Sequence, residues 1–447
     1  MIWSKEQCDK LGLSELAYQF GSYIRRQAAC EEEVVAWSAA CLSEVISQGK
    51  RCLNYQQLSL MIDPTQWAIH SDQHWQQQLH NSKLVSDGET VTPLVLTSSG
   101  ELYLYRQWQQ WQYLHHYWQQ RLALQSLPDP IKAQASFAAW ASSVTGTDWQ
   151  KVAVIMALMQ PRCVISGGPG TGKTTITMWL LKFIQQQYPD WRIALATPTG
   201  KAAMRLQSVL KPSQQITVKT LHRLLKITVQ HPQGRYNRGH PLPLELLIID
   251  EASMIDNQLM TTIFQSLSSH TRLILLGDGH QLAAIETGGF FAELSNKKMQ
   301  FSASFCQQFT LLTGQVIESN DHQNAAAIAK CDNIVTLQHN YRFQTMSTTG
   351  ELAVLVQQGQ AEQVISYLNT LPNHWLKQET MEATLAKVIA LYQPFFEALA
   401  NQESAEYCLA LLEKYRVLCA IKQGQYGTVA INNWLQQQLP QQSDASS

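Results

Sequence analysis

The sequence predicts an α/β fold, in which a parallel sheet flanked by helices follows a mostly helical N-terminal domain. Short, nearly continuous apolar segments alternate with helical segments in the middle of the chain, at residues 163–166, 193–196, 246–249 and 273–276. Strands that are apolar on both faces are typical of a parallel sheet that helices cover on each side. In the first 125 residues, apolar side chains instead recur at helical spacing.

The pattern divides the 447 residues into three domains, the number expected at about 150 residues each. A helical, partner-docking domain is predicted for residues 1–125, and a proline-rich stretch just after it marks a boundary. The α/β domain is predicted for residues 131–335, with a small inserted loop or hairpin near 230–243. A further apolar strand is predicted at residues 334–337. Residues 336–447 are predicted to form an incomplete and mainly helical domain.

Two short strands and an aromatic helix are expected near the end of the N-terminal domain. Residues 91–96 and 102–105 are predicted to pair across a serine–glycine turn. The next helix carries its large apolar side chains on one stripe: Trp108, Trp111, Leu114, Trp118 and Leu122. Such a stripe can stack nucleic-acid bases, but it more often packs in a core or an interface, and the core interpretation is favoured.

The composition gives no overall attraction to nucleic acids or acidic membranes. Only 15% of the residues are charged, and the net charge is −1. Local cations and base stacking can still hold a single strand. The nine cysteines are scattered without CxxC or zinc-site spacing, which indicates thiols in a reducing compartment. No signal peptide and no apolar run of membrane-spanning length is found, so a cytoplasmic location without membrane contact is expected.

A glycine-rich loop directly follows the first predicted strand of the sheet. It matches the GxxxxGK[ST] pattern, and its residues are Gly167, Gly168, Pro169, Gly170, Thr171, Gly172, Lys173, Thr174 and Thr175. Glycines let backbone N–H groups turn towards a triphosphate, and the positive end of the next helix dipole points at the same charge. Lys173 is expected to reach the β- and γ-phosphates, and the Thr174 hydroxyl is expected to bind Mg²⁺. The sequence therefore predicts a P-loop NTPase with a RecA-like sheet that uses ATP and Mg²⁺.

Two further strands deliver polar residues to the same edge of the predicted sheet. Asp250 follows one strand and is expected to hold Mg²⁺, directly or through water. Glu251 is placed to orient and deprotonate an attacking water. Gln281 follows the next strand after a glycine turn, where an uncharged amide can sense a γ-phosphate and its loss. Alone, each of these residues also fits an ordinary turn.

The order of these motifs resembles that of superfamily 1 helicases. More narrowly, the chain resembles the RecD family, the alpha subunits of bacterial exodeoxyribonuclease V (RecBCD). The resemblance rests on residues 165–175, 198–203, 220–225, 250–256 and 341–343, and more weakly on 149–153 and 418–420.

The resemblance implies two further nucleotide contacts. Gln150 matches a glutamine that recognises adenine, although a solvent-facing helix residue is the alternative. Arg342 matches an arginine that reaches the γ-phosphate from the second motor domain and stabilises transition-state charge. A surface salt bridge is the alternative for Arg342.

The resemblance also implies a track for single-stranded DNA. Its first part follows a strand and begins a helix, a geometry suited to binding an anion, and comprises Pro198, Thr199, Gly200 and Lys201. Thr220, His222 and Arg223 resemble a second DNA-contacting motif, where a capping or core role is the alternative for His222. Hydroxyls, backbone amides and a few cations are sufficient to follow a phosphate backbone without reading its sequence.

Taken together, the resemblance implies an ATP-dependent DNA helicase subunit that moves 5′ to 3′ and unwinds DNA ends in double-strand-break repair by homologous recombination. Its implied partners are DNA ends, single-stranded DNA and the RecB and RecC subunits. Two later motifs of the family, similar to TVHKSQG and YTAVTR, do not occur in the sequence. A truncated form with impaired activity is therefore expected.

Two other classes of function stay open at this point. A nucleotide kinase or small-molecule ATPase shares the P-loop and the Asp-Glu pair, but it does not need the segments around Thr199 and Thr220 or Gln281. A non-enzymatic subunit that docks RecC through its tryptophan-rich first domain, with a nucleotide-binding motor remnant attached, is the second alternative.

Overall fold

A computed structural model describes residues 3–27, 33–67, 69–120, 147–210, 215–281, 289–318, 332–339, 341, 348–371 and 380–438. The chain divides into two compact units, Met1–Ser347 and Thr348–Ser447. Among the described residues, none of the helices combines the length and the apolar character that a membrane crossing requires.

The first unit begins with five helices and a small sheet. The helices are α1 (Lys5–Lys10), α2 (Glu15–Gln27), α3 (Glu33–Ser47), α4 (Tyr55–Met61) and α5 (Asp72–His80). The strands are β1 (Val85–Ser86), β2 (Leu94–Leu96) and β3 (Leu102–Leu104). Helix α3 is the centre of this core because α2, α4 and α5 all pack against it, and it is buried along most of its length. Strands β2 and β3 are antiparallel, which confirms the predicted pair.

Helix α6 (Tyr105–Gln119) carries the aromatic stripe, and it packs into the core of the parallel-sheet domain. Tyr117 stacks on Phe264 with ring centroids 4.2 Å apart, and Trp118 lies 6.0 Å from Phe290 in an edge-on arrangement. Trp118 is 8% exposed, so the core interpretation of the stripe is confirmed there. Leu122 lies outside the described residues. The predicted domain bounds assign this helix to the N-terminal domain, and those bounds stay a prediction.

A six-stranded sheet forms the centre of the first unit, and all of its strands are parallel. Its order is β6-β5-β7-β8-β4-β9. The strands are β4 (Arg162–Ser166), β5 (Ile193–Thr197), β6 (Ile216–Thr220), β7 (Leu246–Ile249), β8 (Arg272–Gly277) and β9 (Ile334–Thr336). The helices are α7 (Trp149–Met159), α8 (Lys173–Gln187), α9 (Gly200–Leu210), α10 (Leu221–Leu225), α11 (Asn257–Ser266), α12 (Phe290–Ser295) and α13 (Ala303–Thr313). The predicted α/β fold is confirmed, with β6 as an additional strand.

The sheet is buried on both faces, as its apolar strands require. Side chains on one face, such as Ile248 and Ile274, pack with α7 and α8, whereas those on the other, such as Leu247 and Leu275, pack with α11 and α12. Strand β6 lies at the edge and alternates between buried and exposed residues. The inserted segment near 230–243 forms two tight turns, closed by bridges between Thr228 and His231 and between Asn237 and His240.

Two buried arginines hold helix ends at the amino-terminal edge of the sheet. Arg162 of β4 donates to the carbonyl oxygens of Tyr117, Trp118 and Gln120 at the end of α6, with distances of 3.1 Å to Trp118 and 3.0 Å to Gln120. Arg272 of β8 donates to Leu158 at 2.8 Å, at the end of α7. Burial lowers the pKa of both guanidinium groups. The last carbonyl groups of a helix lack intrahelical partners, so each arginine satisfies acceptors that would otherwise be orphaned.

We expect Arg162→Met to lower the free energy of unfolding by about 2–4 kcal/mol, because it leaves buried carbonyl groups without a donor and removes a guanidinium that also lies 4.1 Å from the Tyr117 ring centroid. Arg192→Met is the matched control, since Arg192 directly precedes β5 of the same sheet and forms an exposed pair with Glu245. That variant should cost no more than about 1 kcal/mol. Denaturant unfolding measures both, and equal losses would contradict the assignment.

An ionic contact joins the N-terminal domain to the parallel-sheet domain. Arg51 pairs with Glu293 of α12, lies 3.6 Å from Glu101, and places its guanidinium 4.0 Å from the Trp111 ring centroid. His115 Nε2 lies 3.2 Å from the second carboxylate oxygen of Glu293. Side chains from the N-terminal domain, α6 and α12 therefore meet at one carboxylate.

The second unit, described by itself, is helical in all of its described elements. They are α14 (Thr348–Gln357), α15 (Ala361–Asn369), α16 (Met381–Ala400), α17 (Ala405–Leu412) and α18 (Thr428–Gln438). Its small core contains Ala398, Cys408 and Leu411, with Phe395 packed against them. The assignment of residues 336–447 to a second motor domain stays a prediction.

Candidate functional site

The carboxyl ends of the six parallel strands meet at one edge of the sheet. The glycine-rich loop follows β4, the carboxylate pair follows β7, and the turn that carries Gln281 follows β8, which lies between them. The two predicted DNA segments follow β5 and β6 at the far side of the same edge. Because chain order and sheet order differ, residues far apart in sequence are brought together here.

The glycine-rich loop is closed by its own hydrogen bonds. Lys173 Nζ donates to the carbonyl oxygens of Gly167 and Gly168, at 2.5 Å and 3.2 Å, and Thr171 Oγ1 donates to Gly168 at 2.8 Å. Gly170 and Gly172 have φ values of 84° and 89°, in the left-handed region that favours glycine. Gly172 is the N-cap of α8, so the first amides of that helix face the loop. Of the remaining loop residues, Thr174 and Thr175 are half-buried and Pro169 is exposed.

Gln150 is a buried part of this loop's support. Its side chain is 9% exposed, and Nε2 donates to the carbonyl oxygen of Thr171 at 3.0 Å. Asp148 caps the same helix by accepting from the backbone N–H groups of Gln150 and Lys151. The alternative of a solvent-facing Gln150 is therefore wrong, and its predicted contact with adenine stays a prediction.

The carboxylate pair is held close to the loop lysine. Asp250 Oδ1 accepts the backbone N–H of Glu251 at 3.0 Å, and Glu251 adopts a left-handed backbone with a φ of 57°. Burial raises the pKa of Asp250, while the charges of Lys173 and Arg205 oppose the rise. Burial and the neighbouring charge of Asp250 raise the pKa of Glu251. A carboxyl group with a raised pKa is better suited to accept a proton near neutral pH.

The turn after β8 presents Gln281 at the surface. Asp278 is 3% exposed and accepts the backbone N–H of His280 at 3.0 Å, and the backbone N–H of Gln281 donates to the Asp278 carbonyl oxygen at 3.2 Å. The Gln281 side chain is exposed. Arg342 lies outside the described residues, whereas the backbone N–H of its neighbour Tyr341 donates to the Gly170 carbonyl oxygen at 2.9 Å.

The two predicted DNA segments end neighbouring strands in register, since Thr197 pairs with Thr220. Thr199 Oγ1 accepts the backbone N–H of Ala202 at 3.3 Å in the first turn of α9, and Thr220 Oγ1 accepts that of Arg223 at 3.3 Å in α10. In these two helices Lys201, His222 and Arg223 are exposed. Gly200 is also exposed, and Pro198 is half-buried. Since His222 is exposed, the alternative of a core histidine is wrong.

The sequence reasoning missed a basic surface around these segments. Residues 191–244 contain no Asp or Glu, although they contain nine lysines and arginines: Arg192, Lys201, Arg205, Lys211, Lys219, Arg223, Lys226, Arg235 and Arg238. Those that the structure describes are all exposed, and only Arg192 among them has a carboxylate within 4 Å, that of Glu245. The neutral net charge hides this segregation, and only a count along the chain would have found it.

A magnesium ion fits the donors at this edge. Mg²⁺ prefers hard oxygen ligands and usually takes one or two from the protein, with phosphates and water completing the octahedron. The Thr174 hydroxyl and the Asp250 carboxylate are half-buried oxygen donors of this kind. Within the part of the chain that the structure describes, no lysine or arginine forms an ion pair with Asp250 or Glu251.

Three features together define the motor domain of a P-loop NTPase. They are a P-loop between a strand and a helix, an acidic pair after a second strand, and a parallel sheet. Residues 150–287 match the family model of an AAA domain, and residues 9–103 match that of the RecBCD enzyme subunit RecD, N-terminal domain. In sequence the chain is similar to RecD, a subunit with a superfamily 1 helicase fold.

Curated relatives of similar sequence include two RecD subunits and a RecD2 helicase. The RecBCD enzyme subunit RecD of Haemophilus influenzae is 36% identical over 245 residues, covering 51% of this chain and 38% of the relative. That of Buchnera aphidicola subsp. Acyrthosiphon pisum is 27% identical over 390 residues, covering 82% and 64%. The ATP-dependent RecD2 DNA helicase of Deinococcus radiodurans is 39% identical over 126 residues, covering 28% and 16%. The chain thus spans between 38% and 64% of the length of the two RecD relatives.

Proposed function

We propose that this chain supplies the ATP-dependent motor of a 5′ to 3′ DNA helicase subunit of exodeoxyribonuclease V, acting on DNA ends during double-strand-break repair by homologous recombination in the cytoplasm. The observation that carries the proposal is the shared sheet edge, where the P-loop and the carboxylate pair lie beside two exposed, in-register segments suited to DNA phosphate. A small-molecule ATPase does not need those segments, and RecB, RecC and single-stranded DNA are the proposed partners.

In this proposal the residues at the loop bind and orient ATP. Lys173 exchanges its bonds to loop carbonyl groups for the β- and γ-phosphates, while the amides at the start of α8 bind phosphate oxygens. Thr174 and Asp250 hold Mg²⁺, which neutralises developing phosphate charge when it is bound. Glu251 takes the proton of the attacking water, as its raised pKa favours. Gln281 and Arg342 contact the γ-phosphate, and Gln150 contacts adenine.

The DNA track supports the second half of the proposal. Backbone amides and hydroxyls at Thr199 and Thr220, with Lys201, His222 and Arg223, bind phosphates irrespective of base sequence. The acid-free segment 191–244 surrounds them with cations, so a single strand meets no carboxylate from that segment. Such local segregation allows binding to a polyanion despite a net charge of −1.

The nucleotide half is tested by titrating a fluorescent ADP or ATP analogue with Mg²⁺. Lys173→Ala should weaken binding by about 100-fold or more, because it removes a charge-assisted bond to phosphate. Lys182→Ala is the matched control on the same helix, since Lys182 is exposed and lies over the Trp179 ring. Unchanged binding in Lys173→Ala, with the fold intact by circular dichroism, would refute a phosphate site in this loop.

The DNA half is tested with single strands of several sequences. Arg223→Gln should weaken binding by a similar factor for every sequence and should reduce the slope of log K against log salt by about 0.7, because one phosphate contact is lost. Arg26→Gln, an exposed arginine of α2 in the N-terminal domain, is the control and should leave the slope unchanged. A sequence-dependent loss in Arg223→Gln would instead indicate base reading.

A further inference from the structure

Ser166 joins the strand of the P-loop to the turn that carries Gln281. It is the last residue of β4, directly before Gly167, and is 4% exposed. Its hydroxyl oxygen accepts the backbone N–H of Gly279 at 3.2 Å, and its carbonyl oxygen accepts the backbone N–H of Leu337 at 2.8 Å. The Gly279 N–H group is partly buried and costly to leave unpaired, so the hydroxyl helps to fix where Gly279 lies.

The same two segments are joined by a second bond that needs no side chain. The backbone N–H of Gly167 donates to the carbonyl oxygen of Gly277 at 3.0 Å. This bond continues the β4–β8 ladder and anchors the start of the turn, whereas the Ser166 bond acts two residues further on. The turn itself is closed by Asp278, which accepts from His280 and Gln281. Gly279 is therefore the point at which the loop strand holds this closed turn.

Packing around Gly279 leaves little freedom for another arrangement. A Cβ atom at this position would lie 2.4 Å from Ser295 Oγ and 3.3 Å from Ser166 Oγ. The turn is thus confined between α12 on one side and the end of β4 on the other. A displacement of Ser166 would therefore move Gly279, and Gln281 follows Gly279 by two residues.

We propose that Ser166 is a positioning residue that couples γ-phosphate binding in the P-loop to the placement of Gln281. The proposal rests on the nucleotide site proposed above and adds the means by which the loop and the sensing glutamine act together. The β-phosphate contacts belong to Lys173 and the loop amides, and they do not need Ser166. The preference for a triphosphate over a diphosphate, in contrast, depends on Ser166.

The experiment compares the affinities of ADP and a non-hydrolysable ATP analogue, both with Mg²⁺. Ser166→Ala should leave ADP binding within about twofold and weaken the analogue about tenfold, the worth of one hydrogen bond. Ser166→Thr keeps the hydroxyl and should restore the ratio. Ser166→Cys has a similar volume but a poor acceptor, so it should behave as Ser166→Ala even if the alanine variant folds poorly. Ser208→Ala, on the exposed side of α9, is the control.

A second readout separates coupling from simple support. Hydrogen exchange at residues 278–281 should slow with the ATP analogue but not with ADP in the unaltered protein, and this difference should vanish in Ser166→Ala. Equal weakening of both nucleotides, or an unchanged ratio in folded Ser166→Ala and Ser166→Cys, would overturn the coupling role alone. An unaltered protein that binds neither nucleotide would overturn the proposed function as well.

Discussion

Gly172→Ala is expected to abolish nucleotide binding and to destabilise the protein by about 2–4 kcal/mol. Gly172 has a φ of 89°, and a Cβ atom there would lie 2.1 Å from Gln150 Nε2. The left-handed backbone alone costs a residue with a side chain about 1–2 kcal/mol. The methyl group also displaces Gln150, which loses its 3.0 Å bond to the Thr171 carbonyl oxygen. Both effects act on the turn that starts α8, so the phosphate-facing amides lose their arrangement.

Gly168→Ala is the matched control within the same loop. A Cβ atom at Gly168 meets nothing within 4 Å, and its φ is not in the left-handed region. Its unfolding free energy should therefore change by less than about 1 kcal/mol. The double variant Gly172→Ala with Gln150→Ala relieves the steric contact but keeps the backbone strain, so it should recover only part of the loss. Equal stability of the two alanine variants in denaturant unfolding would contradict the geometry.

Glu251→Gln is expected to slow ATP turnover by about 10²–10⁴-fold while it stabilises the nucleotide-free protein. The first effect follows if Glu251 takes a proton from the attacking water, because an amide cannot do so. The second follows from burial, which raises the pKa of Glu251 and disfavours its charged form in the fold. Steady-state turnover and thermal unfolding measure the two effects on the same variant. A variant that turns over normally would remove Glu251 from the role of base.

The stabilising effect has a defined pH dependence. The folded protein holds the Glu251 proton more tightly than the unfolded chain, so this group lowers stability as pH rises from the ordinary value near 4.3 through its raised folded pKa. The gain in Glu251→Gln should thus be absent below about pH 4 and complete above the folded pKa.

Glu245→Gln provides a control of opposite sign. A hydrogen bond from Arg192 lowers the pKa of Glu245, so its contribution is present above the ordinary carboxyl pKa and is lost as pH falls through the folded value. Glu245→Gln should therefore be slightly destabilising at neutral pH and neutral in acid. A stability difference for Glu251→Gln that does not change with pH would contradict the assigned cause.

The central strands and the loop were predictable because their signals are local. Each is a short apolar run, which is how a strand buried on both faces reads in sequence, and β4, β7 and β8 end at glycine or an acidic residue. Strand β6 was missed because it lies at the sheet edge and alternates between buried and exposed residues, as Ile216, Val218 and Lys219 do. Such a pattern over five residues is hard to distinguish from a loop segment.

The contacts that support the site were not predictable, because they join distant residues through backbone atoms. Arg162 reads as a charged residue before a strand, yet it is 3% exposed and holds the end of a helix 42 to 45 residues earlier. Ser166 reads as the last residue of an apolar strand, and its bond to Gly279 spans 113 residues. Sequence pattern identifies residue types and spacing, whereas such bonds depend on sheet order.

The position of α6 has a consequence for dividing this polypeptide. A fragment that ends at residue 125 carries away Leu114, Tyr117 and Trp118, which belong to the core around Phe264 and Phe290. It also removes Arg51 from Glu293, on the helix whose Phe291 ring lies against Gly277. Removing the amino-terminal third therefore uncovers the core of the parallel-sheet domain at α12, the helix whose Ser295 lies next to Gly279 in the turn after β8.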